Sequence, residues 1–176
     1  MKKCLQTLPF LFLLSFISGR GYAASPGYEA VTGFELNRYL GKWYEIARLP
    51  NRFEKGLVNV TATYNLRDDG MVKVLNEGYR DTKDGKHANA TGKAKFEAGR
   101  DRGHLKVSFF WFFYADYVIF ALDPDYKWAL VGSSHKYLWI LAREPRMEKD
   151  LLDSLVIKAK DAGFDTDRLY FTPQEW

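Results

Sequence analysis

From residue 58 onward, apolar and polar positions trade places with a period of two. Val58, Val60, Ala62, Tyr64 and Leu66 alternate with Asn59, Thr61, Thr63 and Asn65, which is how a strand with one buried face reads. Asp68-Asp69-Gly70 closes the run as a hairpin turn, because Asp-Gly tolerates the positive φ such turns need. Val72, Val74 and Asn76 then alternate with Lys73, Leu75 and Glu77, and a polar loop follows over 81–86. Ala90, Gly92, Ala94 and Phe96 alternate with Thr91, Lys93 and Lys95. Further strands are predicted over 105–109, 117–122, 127–131 and 137–141, with Asp123-Pro124-Asp125 as a turn. With a first strand at Trp43, the pattern predicts an all-β fold of about eight antiparallel strands joined as neighbours. Such an up-and-down sheet can close on itself, and eight strands leave an interior for one small ligand.

The period changes after Pro145. Met147, Leu151, Leu152, Leu155, Ala159 and Ala162 fall on one helical stripe, with Lys149, Asp153, Lys158 and Asp161 elsewhere. Pro145 suits the start of a helix and Gly163 its stop. One amphipathic helix outside the barrel and a short strand over 169–171 complete the expected single domain, residues 24–176.

The first 23 residues read differently. Lys2 and Lys3 form a positive start, Leu8 to Ile17 is apolar, and Gly21-Tyr22-Ala23 offers small residues for a signal peptidase,. The apolar run is shorter than the roughly 20 residues a membrane span needs. The expectation is a cleavable secretory leader ending at Ala23 and a periplasmic protein, in contact with the outer membrane or free of it. Removing Lys2, Lys3 and Arg20 from the 26 basic residues leaves 23 against 22 acidic ones. That near balance excludes nucleic acid as an expected partner. The one cysteine, Cys4, lies within the leader, so the mature chain is read as having no disulfide and no thiol nucleophile,.

Gly41-Lys42-Trp43-Tyr44-Glu45-Ile46-Ala47-Arg48 leads the strands, and Phe34, Leu36, Tyr39 and Leu40 precede it. Ala115-Asp116-Tyr117 and Tyr137-Leu138-Trp139-Ile140-Leu141-Ala142-Arg143 follow at barrel spacing. These three patches resemble the lipocalins, in particular the bacterial lipocalin and apolipoprotein D branch, over about residues 34–172. The resemblance implies a closed barrel that carries a ligand. It also implies that Ala115-Asp116-Tyr117 forms a turn between strands, and that Gly41, Trp43 and Arg143 seal the barrel floor. An Arg over an indole face gains about 0.5–2 kcal/mol, and its fork suits backbone carbonyls. Many bacterial lipocalins have a lipid-modified cysteine directly after the apolar leader run. Cys4 precedes that run, so anchoring through it is not expected.

The alternation points Val60, Ala62, Tyr64, Val74, Asn76, Ala94, Phe96, Val107, Phe109, Tyr117, Ile119, Tyr137 and Trp139 inward, and all of these except Ile119 are candidate ligand contacts. The small residues Ala62, Gly92 and Ala94 would leave room between the aromatics. Such an interior suits an amphiphile, and the resemblance implies a fatty acid or lysophospholipid, stored or transported during membrane maintenance. Arg48, Arg52 and Lys55 are candidate headgroup contacts on a loop at the mouth, and Glu45 has no assigned facing. The aromatic run 109–114 reads as a hydrophobic tip for a bilayer or a second subunit, or as a loop folded over the rim. Carriage of haem or another pigment would need His104 or His135 inside. An enzyme would need an acid–base pair in the cavity, and no catalytic, metal or cofactor residues are nominated. A protein-interaction module centred on the aromatic tip is the remaining alternative.

Overall fold

The computed structural model describes residues 27–110 and 113–176. The expected leader, with the expected cleavage after Ala23 and with Cys4, lies outside the described residues, as do Trp111 and Phe112. A one-turn helix α1 (Leu36–Tyr39) leads into β1 (Gly41–Arg48), β2 (Leu57–Leu66), β3 (Val72–Arg80) and β4 (His87–Phe96). There follow β5 (His104–Phe110), β6 (Phe113–Leu122), β7 (Trp128–Ser133) and β8 (Tyr137–Ala142), then α2 (Lys149–Asp161) and β9 (Tyr170–Phe171). Each strand from β2 to β8 pairs antiparallel with the next. β1 then pairs with both β8 and β2, so the eight strands close into a barrel, and β9 adds a short ninth on β1.

Two apolar layers follow from the alternation. The inner one gathers Phe34, Tyr39, Trp43, Tyr64, Val72, Val74, Ala94, Leu105 and Ile119 inside the barrel. The outer one packs Leu155, Ala159 and Phe164 on Ala47, Leu130, Leu138 and Ile140. The helical stripe read from sequence is the face that docks there, with Met147, Leu151, Leu152 and Ala162 partly buried around it.

The patch after the aromatic run differs from expectation. The ladder continues to Phe110 in β5 and resumes at Phe113 in β6, with those two residues opposite each other. Ala115-Asp116-Tyr117 is not a turn: it lies within β6, where Ala115 faces Val107, Asp116 faces Lys106 and Tyr117 faces Leu105. Asp116 accepts bonds from Lys106 Nζ at 3.0 Å and pairs with His104 Nε2 at 2.8 Å. Those partners let a carboxylate sit in the ladder, where an isolated acid would favour a turn.

β1 and β2 pair only from Gly41 to Tyr44. Above that point the chain near its end fills the seam. Thr172 N donates to Ile46 O at 3.0 Å and Asn59 N to Pro173 O at 2.8 Å. The Gln174 side-chain amide donates to both Glu45 O (2.9 Å) and Val60 O (3.0 Å). One side chain thereby bridges two strands that have parted.

Candidate functional site

The closed end is built around Trp43, which is fully buried. The Arg143 guanidinium lies 3.9 Å from the Trp43 ring centre. Its Nη1 and Nη2 donate to Lys42 O (2.8 Å) and Arg38 O (2.7 Å), and Nε to Tyr126 O (3.3 Å). Gly41 takes φ +93°, and Arg143 Nη1 stands 3.5 Å from where its side chain would begin. A glycine holds that left-handed turn without strain. Above this latch, the Tyr117 hydroxyl shares hydrogen bonds with those of Tyr39 (2.8 Å) and Tyr64 (2.6 Å). Burial pushes the Tyr64 phenol up to about 12 and raises the other two. All three are therefore neutral donors and acceptors at the cavity floor.

Over that floor opens a cavity of about 760 Å³, within the range of small-molecule sites. Val60, Ala62, Tyr64, Val74, Asn76, Val107, Phe109, Tyr117, Tyr137 and Trp139 line it. Ala94, Phe96 and Ile119 do not: they pack with Phe34 and Tyr39 in the plug that forms the floor. Strand β2 is bulged between Val58 and Thr61, with Asn59 at φ +50°. A bulge puts two residues opposite one and re-aims side chains, so Thr61 joins Val60 in the lining. Gly92 leaves less room than its size implies. A Cβ there would lie 2.9 Å from the Phe109 ring, so the missing side chain is the seat for that ring. Asn76 Oδ1 is buried with no hydrogen-bond partner among the described residues.

The loop after β1 places the charges differently from expectation. Arg48 is not a mouth residue: it ends β1, is 3% exposed, and pairs with the Glu45 carboxylate. It also donates to Thr172 Oγ1 (3.0 Å) and to Glu54 O, and lies over the Tyr170 ring. Residues three apart on a regular strand face opposite sides. The register shift between Glu45 and Ala47 turns Arg48 to meet Glu45. Arg52 and Lys55 do stand exposed on the loop, but they line a smaller hollow outside the barrel with Arg48 and Tyr170. Glu54, Glu77 and Asp116 are cavity-lining acids missed from the sequence, and Glu54 is the one on this loop. It lines the main cavity, where its carboxylate accepts from Asn51 and from Trp139 Nε1 (3.2 Å).

Glu45 also lines the cavity. Burial, reinforced by the Glu54 carboxylate, pushes its pKa from 4.5 up to about 8 against the opposing pull of Arg48. A carboxyl that keeps its proton better when folded than when unfolded makes the folded state bind more protons between those values. Stability then falls as pH rises across that window. The denaturant midpoint is expected to be lower at pH 8.5 than at pH 5.5, and Glu45→Gln should remove most of the difference. An equal slope in Glu45→Gln would assign the effect to another group.

None of the three histidines is among the cavity-lining residues. His87 pairs with Glu77 at 3.2 Å and His104 with Asp116, while His135 packs on Tyr28 and Phe164. The mouth is instead rimmed by Phe53, Phe109, Phe110 and Phe113, which are 56%, 37%, 66% and 72% exposed.

The sequence profile of a lipocalin-like domain matches residues 34–174. The outer membrane lipoprotein Blc of Vibrio cholerae is 46% identical over 168 residues, spanning 94% of this chain and 98% of that one. Apolipoprotein D of Macaca fascicularis is 33% identical over 184 residues, spanning 94% and 95%. Among solved structures, insecticyanin from the tobacco hornworm Manduca sexta aligns with a TM-score of 0.65 at 18% identity, spanning 82% of this chain and 83% of its own, a likeness of fold. A barrel closed by β1, a single helix on its outer wall and these relatives agree: the chain belongs to the lipocalin family, as a lipocalin of the bacterial type.

Proposed function

We propose that this protein binds a single-chain amphiphile, a fatty acid or lysophospholipid, and stores or carries it in the cell envelope without changing it chemically. The observation that carries this reading is the mostly apolar cavity of about 760 Å³, open at one end through exposed phenylalanines. About 14 buried methylenes would contribute on the order of 11 kcal/mol at ~0.8 kcal/mol each. Lost freedom and chain ordering cost about 4–15 kcal/mol, so binding is reversible, near micromolar in order of magnitude. That suits a carrier.

The phenylalanine rim gives this reading a place to load. Four aromatic side chains around one opening form a patch that water covers poorly, and a bilayer surface would cover it while facing the cavity mouth. The relatives named as outer membrane lipoproteins favour an envelope location. We read the leader as cleaved after Ala23, with the mature chain free of a lipid anchor.

Native mass spectrometry of the exported protein tests these points together. The expected species is an unacylated chain beginning at Ala24, forming a 1:1 adduct with a lysophospholipid or a fatty acid. A covalently lipidated mass would overturn the unanchored reading. Failure to form adducts with either lipid would overturn the carrier reading, and a stable dimer hiding the rim would reassign that surface to a second copy.

A further inference from the structure

The charges along the cavity wall are unequal. Glu45, Glu54, Glu77 and Asp116 line it, and Arg80 is the one cation among the described lining residues. Two of the acids are paired with an Arg or Lys, Glu45 with Arg48 and Asp116 with Lys106, while Glu77 lies 3.2 Å from His87 Nε2. Glu54 is in none of the ion pairs among the described residues. Its carboxylate is held by an amide and an indole, Asn51 and Trp139, which orient it without neutralising it. Trp139 in turn stacks on Tyr137, with ring centres 6.0 Å apart and planes 10° from parallel. Phe53 stands on the same loop as Glu54, and all four residues line the one cavity.

A fixed carboxylate beside stacked aromatic faces is the chemistry that holds an ammonium group. The rings attract a cation through their quadrupoles, and the carboxylate supplies the opposite charge in a space that water only partly screens. The same wall repels a free carboxylate. We infer that the upper cavity recognises an ammonium-bearing headgroup, with Glu54 as its counter-charge and Trp139, Tyr137 and Phe53 as its aromatic walls. This rests on the amphiphile reading above and narrows it. Single-chain lipids with an amine or quaternary ammonium are favoured, and free fatty acids are disfavoured.

The test compares three ligands with one acyl chain in common: palmitoylcholine, monopalmitoylglycerol and palmitate, titrated against the folded protein below their micelle concentrations. Palmitoylcholine is expected to bind about tenfold tighter than the neutral glyceride, with palmitate weakest. Glu54→Gln keeps hydrogen-bonding atoms beside Trp139 and Asn51 but removes the charge. It should bring palmitoylcholine down to the glyceride's affinity and leave the glyceride unchanged. Added salt should narrow the same gap in the unaltered protein, a readout that needs no variant to fold. Equal affinities for palmitoylcholine and the glyceride would overturn the inference, as would a Glu54→Gln effect that weakens both alike. Should none of the three bind, the amphiphile reading itself fails.

Discussion

Arg143→Ala is expected to cost about 3 kcal/mol of stability. It uncovers the Trp43 ring and strips a charged donor from the carbonyls of Arg38, Lys42 and Tyr126. Those carbonyls belong to three separate parts of the chain, so one side chain ties α1, β1 and the turn before β7 together. For a domain of this size the loss corresponds to a fall in melting temperature of about 6–12 °C. Arg143→Lys should recover only a minor part. An ammonium is a point charge on a flexible stem and cannot serve three carbonyls while covering an indole. Thermal unfolding followed by circular dichroism reads both variants. A fall under about 1 kcal/mol, small against the expected 3 kcal/mol, or full recovery with lysine, would mean that the latch is ornamental.

The second large effect is expected at the opposite end. Arg48→Met removes the partner of a carboxylate that is 2% exposed, and also frees Thr172 Oγ1 and Glu54 O. Stranding one member of a buried pair costs about 3–5 kcal/mol. The low end applies near neutral pH, because Glu45 escapes part of the penalty by holding its proton. The cost should therefore grow toward pH 9, where the carboxyl must ionise without a guanidinium beside it. In a Glu45→Gln background the same Arg48→Met change should cost less, since no carboxylate is left behind. Urea midpoints of the four proteins at two pH values close the cycle. Additive losses independent of pH would show that the pair is not coupled.

The sequence was most legible where one strand face is buried. The alternation in β2, β3 and β4 located those strands and their facing, and Val60, Ala62, Tyr64, Val74 and Asn76 of β2 and β3 stand among the cavity-lining residues. It failed where local geometry departs from period two. Nothing in the residue types Val58-Asn59-Val60-Thr61 marks a bulge, because the alternation of apolar and polar runs through it unbroken. The Glu45–Arg48 pair was hidden for the same reason: a regular strand would put those side chains on opposite faces. Its other members lie far away in sequence, with Thr172 more than a hundred residues on. Gly92 was read as empty volume because its occupant, the Phe109 ring, arrives from the neighbouring strand. Ala94, Phe96 and Ile119 pack in the inner cluster below the cavity, and alternation carries no information on depth along the barrel axis. Depth is set by where Phe34 and Tyr39 enter from below, and that is a property of the closed barrel.

The segment from Tyr170 to Gln174 also sets an order of events. It comes after every stave of the barrel along the chain, and so on export follows them across the membrane, yet it supplies the partners of Glu45 O, Ile46 O and Val60 O in the upper seam. A chain still emerging can zip β2 through β8 and dock β1 on β8. It cannot satisfy those carbonyls until residue 174 has arrived. The wall nearest the buried ion pair is thus the last to be sealed, and an unfinished chain keeps a slit where the finished one has a hydrogen-bonded stitch. Completion of the container is timed by the arrival of Gln174.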